Sequence, residues 1–135
     1  MHWAVKYIGK PWVSGGQGPD KFDCWGLVRF VVLEQRGIVL PVVNVDAASM
    51  LKVMRAFRSG SYDGWEQVDD PREFDGVLMS HANHPHHVGI WIDVDGGKVL
   101  HAVRGAGVTA MDRLHLRMAG WNIIGFWRYN ECKQA

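Results

Sequence analysis

The spacing of apolar residues changes once along this chain, and that change limits what it can fold into. From Cys24 to about Arg36, apolar side chains fall at Leu27, Val28, Val31 and Val32, the spacing of a helix with one buried face. Asp23 stands where an N-cap belongs, and Gly37 where a C′ residue belongs. Ala4 to Ile8 reads as a short helical turn. A second helix is predicted from Asp46 to about Arg58, capped by Asp46 and ended near Gly60. Beyond Gly76 the pattern is that of strands: Gly76 to Met79, Val88 to Val94, Lys98 to Val103 and Ile123 to Arg128. Asp95-Gly96-Gly97 forms a hairpin signal between the second and third. Helices first and strands afterwards predict an α+β fold with an antiparallel sheet.

Length and charge narrow the class. The 135 residues fit one domain spanning 1–135, and a 47% hydrophobic composition is enough for a core. No repeat, linker or low-complexity segment divides the chain. Basic and acidic residues number 15 and 14 with no basic block, which argues against a nucleic-acid partner or an anionic membrane surface. No uncharged run approaches bilayer length, so no membrane insertion is expected. Met1-His2-Trp3 opens without a charged segment followed by an apolar one, so no secretory signal is expected either. Cys24 and Cys132 lie far apart and make a poor disulfide framework, which favours synthesis in a reducing cytoplasm. Seven tryptophans suggest an aromatic cleft or surface as well as a core.

Reactive residues concentrate in two places. Cys24 falls in the first turn of a predicted helix, where backbone N–H groups and the helix dipole favour an anion and should depress its thiol pKa. The competing reading is a buried structural cysteine. Cys132, in a polar tail, has no such setting. The second place is the histidine-rich stretch from His81 to His87. His81, His84, His86 and His87 suggest a metal site, but no carboxylate or cysteine falls at structural-zinc spacing, so no metal is expected. The expectation is that His81, His84 and His86 are loop residues near a cleft entrance, with Pro85 breaking any regular element there. His87 opens His-Val-Gly-Ile-Trp, a strand that would hold its imidazole rigidly at a sheet edge. His101 lies on the neighbouring strand. Across the Asp95–Gly97 hairpin the two imidazoles can lie side by side, one as base and one as orienter.

These residues carry a family resemblance. Tyr7-Ile-Gly-Lys-Pro-Trp12, Gly15-Gly16 and Phe22-Asp-Cys-Trp-Gly-Leu-Val28 resemble the N-terminal signature of the NlpC/P60 cysteine peptidases. Phe74-Asp-Gly-Val-Leu-Met79, His87-Val-Gly-Ile-Trp91 and Val99-Leu-His-Ala102 resemble the later blocks, in the same order. The Cys-Trp-Gly variant and the Val-Leu-Met strand look most like the phage tail branch, including the peptidase domain of lambda-like tail assembly proteins. The resemblance implies a reduced papain-like fold, with N-terminal helices packed on an antiparallel sheet. It also implies hydrolysis of peptidoglycan stem peptides, commonly between γ-D-glutamate and a diamino acid, without a cofactor.

By motif, Cys24 is the nucleophile, His87 the base and His101 the third polar residue. Tyr7 matches a family tyrosine near the nucleophile that assists binding or oxyanion stabilisation. Asp23 matches the position before the cysteine, where helix capping is an equal alternative. Trp25 replaces a small residue common after the cysteine in cellular members, so the cleft wall is expected to differ. A phage role would place the protein at a virion tail tip, bound to tail-tip or baseplate proteins and acting in the periplasm or cell wall. The alternatives are a structural tail or tail-assembly protein with little turnover, and a thiol amidase or acyltransferase acting on another amide.

Overall fold

Asp23 begins the first helix as its position predicts. In a computed structural model, which describes residues 2–40, 65–81 and 84–129, α1 spans Cys24–Arg36. Asp23 Oδ1 accepts the Gly26 N–H at 2.6 Å, and its other oxygen accepts the Gly15 N–H at 3.1 Å. The Asp23 N–H in turn donates to the Gly16 carbonyl at 2.9 Å. One carboxylate therefore caps the helix and fastens the glycine-rich loop across its first turn. That approach requires glycine: a Cβ at Gly26 would lie 1.9 Å from the Gly16 carbonyl oxygen. The helix ends at Gly37, whose N–H reaches the Leu33 carbonyl. The expected N-terminal turn is a 3₁₀ turn over Trp3–Lys6. The expected helix at Asp46–Arg58 and Cys132 lie outside the described residues.

Among the described residues six strands follow: β1 (Trp65–Val68), β2 (Gly76–His81), β3 (His84–Ile92), β4 (Lys98–Val103), β5 (Gly107–Met111) and β6 (Asn122–Tyr129). They form one antiparallel sheet in the order β1-β6-β2-β3-β4-β5. A six-residue helix, α2 (Arg113–Met118), joins β5 to β6 and is capped by Asp112. The architecture is the expected α+β, papain-like one. Strands β1 and β5 and helix α2 go beyond the sequence expectation, because each is too short to show a period of its own.

The histidine-rich stretch differs from expectation. His81 closes β2, and His84 and His86 belong to β3 rather than to a loop. Pro85 is tolerated because the β2–β3 register shifts between Met79 and His81, opposite this segment, and a bulge is where a strand accepts proline. Nor is His87 at a sheet edge, since β3 lies between β2 and β4.

Each face of the sheet has its own core. Helix α1 buries Leu27, Val28, Val31 and Val32 with Leu78, Val88, Ile90, Leu100 and Ala102. On the opposite face, Leu116 and Trp121 cover Val77, Met79, Trp91, Val99 and Phe126. Each valine, leucine, isoleucine, methionine or phenylalanine side chain among them taken from water contributes roughly 1.5–3 kcal/mol. Trp25, Trp91, Trp121 and Trp127 are buried in these two layers, so these tryptophans fill cores rather than a docking surface. Just before β2, buried Asp75 holds Arg128 of β6 through two nitrogens at 3.0 and 2.8 Å. No helix among the described residues is long and apolar enough to cross a membrane.

The dual role of Asp23 gives a stability prediction. Asp23→Ala should cost about 1–2 kcal/mol in chemical denaturation, the upper range for a lost N-cap, since a loop anchor goes with it. A loss below a few tenths would show that the cap and anchor contribute nothing.

Candidate active site

Cys24 is the first residue of α1 and is only 8% exposed. The backbone N–H groups of Val88, Trp25 and Cys24 itself are directed at its sulfur. They favour a thiolate, as the helix N-terminus predicts, but they are outweighed. Burial, followed by the nearby Asp23 charge, pushes the thiol up to about 12. The expected depression of this thiol is therefore reversed, because desolvation exceeds what a few N–H groups return. At neutral pH the sulfur holds its proton, and a base must remove it as the sulfur attacks.

The Val88 amide that faces the sulfur belongs to the residue after His87. His87 Nε2 lies 2.9 Å from His101 Nδ1, so the two imidazoles expected to pair do so. They pair diagonally: His101 sits on β4 beside Gly89, two residues beyond His87 on β3. A Cβ at Gly89 would come within 3.0 Å of the His101 Cβ and 2.6 Å of Val99 Cγ1, so this glycine clears the path. His101 Nε2 in turn lies 3.3 Å from Met111 Sδ on β5. His101 is fully buried, and burial lowers its pKa from 6.5 to about 4, keeping it neutral near pH 7.

Trp121 forms the lid of this pair. Its ring stacks on His87 at 4.4 Å and meets His101 edge-on at 5.7 Å. His81 packs against the same indole at 5.0 Å and donates through Nε2 to the Ala119 carbonyl at 3.0 Å. Among the described residues no cluster of three or more histidine, cysteine or carboxylate side chains could hold a metal ion.

The side chains of the remaining expected site residues are engaged in other contacts. The Tyr7 hydroxyl donates to the Glu34 carboxylate and accepts from Gln35 Nε2 at 3.2 Å. Those partners sit near the far end of α1, about 15 Å along its axis from Cys24. Burial and the Glu34 bond hold the phenol above its ordinary range. Tyr7 is thus a packing residue set against Phe22 and Phe30, and its hydroxyl does not reach the nucleophile. Trp25 is wholly buried within the core and offers no cleft wall. Asp23 spends both oxygens on backbone N–H groups, the capping alternative.

Comparison with known proteins places the chain in a family. A model of the NlpC/P60 family matches residues 9–127. The chain belongs to the NlpC/P60 family. It is 32% identical over 127 residues to a probable endopeptidase p60 of Listeria innocua, covering 93% of this chain but 23% of that protein. A gamma-DL-glutamyl hydrolase of Bacillus subtilis is 54% identical over 39 residues, 28% of this chain and 9% of that one. The chain therefore spans less than a quarter of the length of these relatives. Among solved structures, the NlpC/p60 domain of the peptidoglycan hydrolase SagA superposes with a TM-score of 0.57 at 25% identity, covering 89% of both chains.

Within this NlpC/P60 site, sequence reasoning missed His81, Trp121 and Met111. Trp121 follows a short helix with no pattern to mark it, and only the tryptophan surplus hinted at such a residue. His81 and Met111 acquire their contacts from strand pairing alone.

The buried His101 sets a pH dependence. Above pH 6.5 neither folded nor unfolded chain protonates it. As pH falls below 6.5 the unfolded chain takes up a proton that the folded chain refuses until about pH 4. Stability should therefore fall by about 3 kcal/mol across that window. Thermal or chemical denaturation as a function of pH should show this slope for the wild type and a flatter one for His101→Asn. Equal slopes would mean that His101 titrates normally.

Proposed function

We propose that the chain is a cysteine peptidase that cleaves peptidoglycan stem peptides through a thioester on Cys24. The observation that carries this reading is the helix-opening Cys24 with its sulfur on the Val88 amide, the residue next to His87, together with the His87–His101 pair. As the sulfur bonds to the substrate carbonyl carbon, His87 takes the thiol proton. The protonated His87 then donates that proton to the leaving amine as the C–N bond breaks, which leaves a thioester. Water attacks the thioester, His87 receives its proton, and the sulfur leaves with a proton returned by His87. Backbone N–H groups at the start of α1 are suited to the oxyanion and would lower the barrier by roughly 3–4 kcal/mol when aligned.

The γ-D-glutamyl–diamino acid amide is the favoured bond. Its support is the similarity to a gamma-DL-glutamyl hydrolase and to the p60 endopeptidases. For context, we propose a phage tail tip, with tail-tip or baseplate proteins as partners and the cell wall as the place of action. The reading rests on the Cys24-Trp25-Gly26 variant and the Val77-Leu78-Met79 strand, which resemble that branch.

Digestion of purified sacculi, with mass spectrometry of the fragments, tests the reading. The wild type should release fragments cut at the γ-D-glutamyl amide. Cys24→Ala and His87→Ala should each lose at least about a thousandfold in rate while remaining folded. Undiminished cleavage by Cys24→Ala would refute the mechanism. Cleavage of a different amide would favour the amidase or acyltransferase alternative. An inert wild type would favour a structural tail component, and proteomics of purified virions would show whether the chain is retained.

A further inference from the structure

The structure assigns a role to Met111 that no family motif supplies: we propose that its thioether is a positioning group, setting the tautomer of His101 and, through it, that of His87. The inference rests on His87 being the base of the reaction proposed above, and it concerns what makes that imidazole competent.

The contacts form a diagonal line across three strands. His87 on β3 meets His101 on β4 at 2.9 Å, and His101 meets Met111 on β5 at 3.3 Å. The register places Met111 opposite Val99 and Thr109 opposite His101, so Met111 reaches His101 as a same-face diagonal neighbour. A neutral imidazole donates from one ring nitrogen and accepts at the other. A thioether sulfur accepts and never donates. His101 must therefore carry its proton on Nε2, directed at Met111 Sδ, and present Nδ1 as an acceptor.

That assignment passes along the line. With His101 Nδ1 accepting, the 2.9 Å contact is donated by the His87 Nε2–H. A neutral His87 protonated on Nε2 has its lone pair on Nδ1, the form able to receive the thiol proton. The opposite arrangement would aim the lone pair of His101 Nε2 at the sulfur lone pairs 3.3 Å away. It would also leave His87 with its proton already on Nδ1, unable to act as a base there. His101 is fully buried, so no water competes to reset its tautomer. Met111 is half-buried in the second core beside Val99 and Trp121, so a chain of similar volume can replace it.

The test uses the full chain, with Met111→Leu and with norleucine placed at position 111, each removing the sulfur acceptor while keeping a similar shape. Nitrogen-15 NMR of histidine-labelled wild type should show His101 and His87 both protonated at Nε2. The two variants should show mixed tautomers, a kcat about threefold to tenfold lower on the stem peptide, and an unchanged KM. A wild-type spectrum with His101 protonated at Nδ1 would overturn the proposal. So would variants that keep both the wild-type tautomers and the wild-type kcat. If a variant misfolds, the wild-type spectrum alone decides. Because that spectrum needs no substrate, an inactive wild type would count against the peptidase reading without touching the tautomer assignment.

Discussion

The backbone amide of Val88 is directed at the Cys24 sulfur, and that contact sets the start of α1 against β3. Everything else in the site depends on it. On one side, α1 must begin at Cys24, which requires the Asp23 cap and the glycine contact between residues 16 and 26. On the other, β3 must present residues 87 and 88 at the height of the helix N-terminus, which the antiparallel pairing with β2 and β4 enforces. The two cores, one on each face of the sheet, keep these elements from sliding.

The same burial that assembles the site sets its electrostatics. The sulfur is held as a neutral thiol and His101 as a neutral imidazole, because each lacks the water that would stabilise its charged form. A buried pair of this kind does not need a standing thiolate. It needs a base of the right tautomer within reach and a cover that excludes water, and Trp121 stacked on His87 is such a cover. His81 contributes by bracing that indole from its own strand.

How much of this was legible in the sequence follows from how local each signal is. Helix α1 was legible to the residue, since Asp23 and Gly37 act on backbone groups within one turn of themselves. The central strands were legible because their apolar runs and the Asp95–Gly97 turn are continuous. The pairing of His87 with His101 was legible from the hairpin between them, though not its diagonal geometry, which depends on the absent side chain at Gly89. The edge strands β1 and β5 were not legible, because four or five residues carry too little pattern. The direction of the Cys24 shift was misread, since a local rule about helix ends was applied where burial by distant residues decides. The placements of Tyr7 and Trp25 failed for a related reason. A motif position does not say which way a side chain turns, and here both turn into the core.

The most direct test of the account is to trap the covalent intermediate it requires. Intact-protein mass spectrometry during turnover of a γ-D-glutamyl stem peptide, quenched in acid, should show an adduct with the mass of the acyl half of the substrate. Peptide mapping should localise it to Cys24, and hydroxylamine should discharge it as a thioester. Steady turnover of the same peptide by Cys24→Ala, or an adduct on any other residue, would contradict the account.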